Sequence, residues 1–119
     1  MKDFFTFDIN LFGTHCNLQV FTYKNKQSLY DYFEGKLVGR DLPDNFFLQV
    51  GKDNYVVFTE SDYDKPVVYM HEFLHAVIHI LESRWEIKDE ECSCYLLGYL
   101  AATYIEFLEI YKRLENDIT

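Results

Sequence analysis

Apolar and polar positions alternate through much of the first half of the chain. The stretches FFTFDINL (residues 4–11) and NLQVFTY (17–23) are rich in aromatic and β-branched residues, which favour extended backbone. NFFLQV (45–50) and YVVFTE (55–60) have the same character, and the GKDN between them is a typical hairpin turn. The pattern therefore predicts four strands in this half of the chain.

A short helix is predicted between the second and third of these strands. The segment SLYDYFEGKLVG (28–39) can begin at Ser28, whose hydroxyl suits a helix N-cap, and can end near Gly35 or Gly39. No repeat, low-complexity run or linker interrupts the sequence. We therefore expect residues 1–119 to form a single domain.

The second half of the chain has the periodicity of helices. The segment DKPVVYMHEFLHAVIHILESRW (64–85) has Pro66 in its first turn, a favoured position for proline. DEECSCYLLGYLAATYIEFLEIYKRLE (89–115) opens with acidic residues, which suit the positive end of the helix dipole. Strands followed by helices indicate an α+β fold: a small, mostly antiparallel sheet of about four strands, covered on one face by the two longer helices.

Composition and charge narrow the class of partner. The chain is 49% hydrophobic and 18% aromatic, which is typical of a folded protein. Its formal net charge of −9 argues against a basic surface for nucleic acid or for an anionic membrane. A basic partner is compatible with this charge, and so is an acidic surface that serves solubility alone.

The sequence predicts a cytoplasmic protein. No segment is apolar enough to span a membrane, and Asp3 and Asp8 interrupt the N-terminus where a signal peptide needs an apolar run. Cys16, Cys92 and Cys94 are an odd number of cysteines, and the last two are too close for a typical structural disulfide. Reduced thiols are therefore expected.

The segment YMHEFLHAVIHIL (69–81) places ligand-type side chains on a largely apolar helix. His71 and His75 are four residues apart, so they lie one turn apart on one helix face. Two imidazole nitrogens at this spacing can bind one zinc ion at about 2.0–2.1 Å. Glu72 is offset around the helix, where a carboxylate can reach a water on the ion without binding the ion. This H-E-x-x-H pattern predicts a zinc site with Glu72 as general base, against the simpler alternative of ordinary core or surface histidines.

A catalytic zinc site needs a third protein ligand and keeps its fourth position open. Glu91 is the preferred candidate, because its helix face continues through the small residues Gly98 and Ala102, which allow two helices to approach closely. Glu82 lies too far along the helix that carries His75. The alternatives to Glu91 are Glu90, Cys92 and Cys94.

With HEFLHAVIHIL on one helix and DEECSCYLLGYL opening the next, the chain resembles a minimal gluzincin. It also resembles small phage-type proteins in which an H-E-x-x-H-A helix precedes an acidic pair and an A-Y-L-x-G-Y-like helix. In that pattern Glu91 is the matching glutamate and Tyr95 the matching tyrosine, and the similarity covers about residues 67–101. The resemblance implies a zincin-like fold, one zinc ion per chain on His71, His75 and Glu91, and a host-cytoplasmic location if the protein is phage-encoded.

These features together lead to a hypothesis of peptide-bond hydrolysis. Glu72 would take a proton from a zinc-activated water and pass it to the leaving amine. Tyr95, one turn beyond Glu91, is the candidate hydrogen-bond donor to the oxyanion. The expected partner is a peptide or protein, with no nucleic acid and no membrane.

Two other classes of function remain open. The second hypothesis is an acidic, non-catalytic binding or inhibitor protein on a zincin scaffold, for example a phage accessory or anti-defence factor that occupies a basic site. The third hypothesis is a small structural or assembly protein without metal. Metal content separates the last class from the others, and proteolysis of a peptide library separates enzyme from binder.

The interval between the two predicted helices sets a geometric requirement. Only 15 residues separate His75 from Glu91, which is at the short end for gluzincins. The first helix moves roughly 12 Å away from the site over the eight residues after His75. We therefore expect residues 84–88 to be non-helical and to run back along the first helix, and the second helix to begin near Asp89.

Overall fold

The computed structural model describes residues 1–33, 36–37 and 41–118. Residue 118 is described by its backbone alone. The strands are β1 (Lys2–Leu11), β2 (Thr14–Tyr23), β3 (Phe46–Val50) and β4 (Asp53–Thr59). The helices are α1 (Lys26–Tyr32), α2 (Pro66–Trp85) and α3 (Glu90–Ile118). The predicted α+β class, with a sheet built from the N-terminal half, is confirmed.

The strands form one mixed sheet in the order β1-β2-β4-β3. β1 with β2 and β3 with β4 are antiparallel hairpins, so the sheet is mostly antiparallel, as expected. The central pair, β2 and β4, is parallel, with Phe21 opposite Val57. The chain leaves β2 through α1 and forms β3 at the far edge before β4 enters the gap, and this is the crossover that a parallel pair requires.

Both hairpins close with two-residue turns that contain a glycine in the left-handed region. Gly51, the first central residue between β3 and β4, has a φ of 61°, as a type II′ turn requires. Between β1 and β2, Phe12 and Gly13 have φ values of 54° and 77°, which are typical of a type I′ turn. Phe12 is the unusual residue of the two, because bulky side chains rarely adopt positive φ.

One face of the sheet packs against α2. The ring of Phe73 in α2 contacts Phe7 of β1 and Phe58 of β4, with centroid distances of 5.4 and 6.2 Å. Leu18 and Val56 fill the same face, because side chains alternate between the two faces along each strand. These contacts fix which side of α2 faces the sheet.

The opposite face of the sheet packs against α1. Leu29 of α1 is buried in a cluster with Tyr23, Phe46 and Val57. The sheet therefore carries helices on both faces, whereas the sequence led us to expect coverage of one face. A helix of seven residues has too few apolar positions for its sequence pattern to show which face of a sheet it covers.

The cap predicted for α1 was wrong. The helix begins after Asn25, whose side-chain oxygen accepts the backbone N–H of Ser28 at 3.2 Å. Asn25 is therefore the N-cap, and Ser28 lies within the first turn. The predicted helix ends at Gly35 or Gly39 lie outside the described residues.

The chain divides into two units, residues 1–76 and 77–119. In the second unit, α3 buries a line of residues at intervals of one turn: Leu96, Leu100, Tyr104 and Leu108. Within the described part of the chain, no helix has the length and apolar character needed to cross a bilayer.

The connection between α2 and α3 is short and bends back on α2. Residues 86–88 are non-helical, as expected, whereas Arg84 and Trp85, which were also expected to be non-helical, belong to the last turn of α2. Glu86 has a φ of 55° and its N–H donates to the carbonyl of Glu82 at 3.0 Å, which is a left-handed C-cap. The N–H of Ile87 donates to the carbonyl of Leu81, so the chain reverses beside the last turn of α2.

Candidate metal centre

The two histidines lie on the side of α2 that faces away from the sheet. Pro66 is the first residue of α2, a position where its fixed φ fits and its missing N–H is not needed. With about 100° between successive residues, His71 and His75 each lie roughly 160° around the helix from Phe73. Since Phe73 faces the sheet, both imidazoles face outward, and both are exposed.

The imidazole nitrogens are already at a metal-binding distance. Nε2 of His71 and Nε2 of His75 lie 3.2 Å apart, and the rings are inclined at 76°. Two nitrogens bound to one tetrahedral zinc ion at about 2.05 Å would be separated by about 3.3 Å. The separation therefore matches that of two nitrogens that share a zinc ion, and in the absence of an ion it is also a hydrogen-bond distance between the two rings.

Glu72 lies at the boundary between the outward face of α2 and the core. It is only 7% exposed, and one of its oxygens and the two histidine nitrogens all lie within 4.8 Å of one another. Burial raises the pKa of the Glu72 carboxyl above its ordinary value of 4.5, and attraction to His71 opposes part of this rise. A carboxylate with a raised pKa is a better proton acceptor near neutral pH.

The donor set suits zinc. Two imidazole nitrogens and a carboxylate form one of the ligand sets that catalytic zinc sites use, and Glu72 is expected to contact the water on the ion, so the carboxylate ligand would come from another residue. Within residues 1–33, 36–37 and 41–118, the cluster of His71, Glu72 and His75 is the one group of three such side chains close enough to hold an ion. The structure thus brings together three of the five site residues predicted from the sequence.

The other two predicted residues, Glu91 and Tyr95, belong to α3 in the second unit. Asp89 caps this helix, because its Oδ1 accepts the N–H of Glu91 at 3.1 Å. Glu91 is therefore in the first turn, as expected, and is exposed. Tyr95 follows one turn later and is 75% exposed. Their roles as third ligand and oxyanion donor stay predictions, as do the alternatives Glu90, Cys92 and Cys94.

An apolar border that was not predicted from the sequence lies beside the histidines. Val67 and Leu74 are 80% and 43% exposed. They precede and follow His71 by four and three residues, so they lie on the same side of α2. This spacing was visible in the sequence, but apolar residues on a helix are more often buried than exposed, and only the structure shows that these two are not.

Comparison of the chain with protein-family models, with curated proteins and with solved structures gives no match. The geometry of the site is therefore the basis for the proposal that follows.

Proposed function

We propose that the protein is a zinc-dependent hydrolase of peptide bonds, of the metallopeptidase type. The observation that supports this most directly is the separation of 3.2 Å between the imidazole nitrogens of His71 and His75, with the buried Glu72 beside them. Hydrolysis by an activated water requires metal ligands and an adjacent carboxylate that accepts a proton, and burial favours this role for Glu72.

Each residue of the cluster has a distinct part in the proposed reaction. Zinc bound to His71 and His75 would supply a Lewis acid that polarises the peptide carbonyl and lowers the pKa of a water molecule. Glu72 would accept the proton of the attacking water and then deliver it to the leaving amine. Burial of Glu72 assists the first of these transfers, because it raises the proton affinity of the carboxylate.

The remaining parts of the proposed site come from α3. Glu91 would complete the ligand set, with Glu90, Cys92 and Cys94 as the alternatives. Tyr95 would donate a hydrogen bond to the oxyanion that forms when water attacks the carbonyl. The exposed phenol of Tyr95 leaves its hydroxyl accessible for such a bond.

Zinc titration of chelator-treated protein tests the proposed centre. We expect about one zinc ion per chain, since a three-ligand set is the usual catalytic arrangement. His75→Ala should abolish binding, and Glu91→Ala should weaken it strongly. His79→Ala is the matched control, because His79 lies one turn further along the same helix, and it should bind zinc as the native chain does. A native chain that takes up no zinc would exclude the centre.

A second experiment separates the base from the ligands. Glu72→Gln should bind zinc with nearly native affinity, yet lose peptide hydrolysis by about 10²–10⁴-fold, the usual contribution of a general base. Cleavage of a peptide library by zinc-loaded protein, followed by mass spectrometry, measures this. If Glu72→Gln also loses zinc, Glu72 is a ligand and the proposed mechanism is wrong.

A non-catalytic binding role is the second candidate, and the net charge of −9 favours it. In that case the zinc-loaded native protein would cleave no member of the peptide library and would associate with basic proteins in a salt-dependent manner. Salt-independent hydrolysis would support the enzyme instead.

A further inference from the structure

The last three turns of α3 extend beyond its buried part. Leu108 is the last buried residue of this helix among those up to 117, and residues 109–117 are exposed apart from the half-buried Tyr111. The helix nevertheless continues to residue 118, which adds about 15 Å. A segment of this length is marginally stable as an isolated helix in water, so packing by a partner would stabilise it.

This part of α3 carries an apolar seam. Thr103, Phe107, Ile110 and Leu114 are spaced four, three and four residues apart, which places them along one side of the helix. Ile110 and Leu114 are 50% and 56% exposed, and Phe107 is half-buried. The spacing is that of a heptad repeat, the pattern by which two helices pack side by side.

Two opposite charges border the seam on the same flank. Glu106 and Arg113 are exposed and seven residues apart, so each immediately precedes a seam residue, Phe107 and Leu114 respectively. Neither forms an ion pair with another residue in the described part of the chain. At this separation, roughly 10 Å along the axis, they are too far apart to pair within one helix.

We infer that this seam is the interface of a homodimer in which two copies of α3 pack antiparallel. A two-fold axis near residues 108–109 places Phe107 against the partner's Ile110, and Thr103 against the partner's Leu114. In an antiparallel helix pair, equivalent flanks face each other, so Glu106 meets the partner's Arg113 twice. A self-complementary pattern of this kind favours a second copy over an unrelated partner.

The interface is small, so the dimer is expected to be a reversible one. Three to four turns of paired helix bury less surface than stable protein interfaces usually do, which corresponds to dissociation constants in the micromolar range. Its stability should come mainly from Ile110 and Leu114, which are exposed in the monomer and buried in the dimer.

Sedimentation equilibrium of the chain of residues 1–119 over a range of concentrations tests the dimer. Ile110→Asp and Leu114→Asp should each raise the dissociation constant by about tenfold or more, because each places a charge where the interface buries an apolar side chain. Ile105→Asp is the matched control: Ile105 is 43% exposed on the other side of the same helix and should leave dimerisation unchanged. Circular dichroism would confirm that each variant is folded.

Charge reversal tests the orientation of the two helices. Arg113→Glu alone and Glu106→Arg alone should each weaken the dimer several-fold, whereas the double variant should restore it to within about threefold of the native value. In a parallel dimer these flanks would not face each other, and the double variant would show no restoration. A native chain that stays monomeric up to about 0.5 mM, well above micromolar binding, would overturn the proposal, as would a dimer insensitive to Ile110→Asp and Leu114→Asp.

Discussion

At the scale of single residues, Phe12 has a conformation that its side chain disfavours. It occupies the first central position of the β1–β2 turn with a φ of 54°, and it is 79% exposed. The left-handed region costs about 1–2 kcal/mol for a residue with a Cβ, whereas asparagine tolerates it because its short polar side chain bonds locally. The turn therefore reduces the stability of this hairpin.

Phe12→Asn should raise the free energy of unfolding by about 1 kcal/mol, because Asn-Gly is the preferred pair in a type I′ turn. Urea-induced unfolding followed by circular dichroism measures the change. Phe12→Tyr is the control: it keeps the disfavoured conformation and should leave the stability nearly unchanged. If Phe12→Asn is no more stable than Phe12→Tyr, the positive φ of Phe12 does not reduce the stability of the hairpin.

Two features of the candidate centre, the proximity of its histidines and the burial of its glutamate, have different physical origins. The proximity of His71 and His75 follows from the helical repeat alone, because residues four apart in any α-helix are neighbours. The burial of Glu72 does not follow from the repeat. It depends on what packs against that side of α2 in the folded chain.

At the scale of secondary-structure elements, the end of α2 contains a second disfavoured residue. Glu86 adopts a φ of 55° so that its N–H can bond the carbonyl of Glu82 and close the helix. Glycine is the common residue at this position, because it has no Cβ to clash in the left-handed region. The reversal of the chain towards α3 is thus retained at the expense of local stability.

Glu86→Gly should raise the free energy of unfolding by about 0.5–1 kcal/mol, because glycine adopts the left-handed region without the cost that a Cβ incurs. Thermal unfolding by calorimetry measures this. Glu86→Ala is the matched variant, since alanine removes the charge but retains the Cβ, and it should give no gain. A stabilising alanine variant would point to the charge of Glu86 instead of its backbone.

The loop that precedes α2 is joined to the sheet by Asp62. One carboxylate oxygen of Asp62 is 2.8 Å from Nζ of Lys65, and the other accepts a hydrogen bond from Asn45 at 2.9 Å. The hydrogen bonds from Lys65 and Asn45 lower the pKa of the Asp62 carboxyl from 3.8 to about 2. A carboxyl whose pKa is lower in the folded state stabilises the fold where it is ionised.

Asp62→Asn should therefore be less stable than the native protein near neutral pH. The difference should shrink as the pH falls from 3.8 towards about 2, because the native carboxyl then becomes protonated in both states. Urea unfolding at several pH values measures the difference. Lys65→Met should have a similar effect, and the double variant should lose less than the sum of the two. Strict additivity would show that the pair does not interact.

At the scale of the whole molecule, metal binding should appear as thermal stability. A ligand that binds only the folded state stabilises it by about 2.7 kcal/mol when its free concentration is one hundred times the dissociation constant. Zinc should therefore raise the melting temperature of the native chain by several degrees. Glu72→Gln should show the same rise and His75→Ala none, as scanning calorimetry would reveal. A rise of equal size in His75→Ala would place the zinc elsewhere.

The sequence by itself determined the features that depend on neighbouring residues. Four strands, the GKDN hairpin turn and the two long helices follow from alternation, helical periodicity and turn-forming residues, which act over a few positions. The start of α3 near Asp89 and the proximity of His71 to His75 follow from the acidic residues at the helix start and from the helical repeat.

The tertiary structure decided what depends on residues far apart in the chain. The parallel pairing of β2 with β4 and the position of α1 on the face opposite α2 depend on the crossover between two hairpins. The outward direction of the histidines depends on Phe73 packing between Phe7 and Phe58. Hydrophobic burial is non-directional, so a local pattern shows which residues are apolar but does not specify which distant surface will cover them.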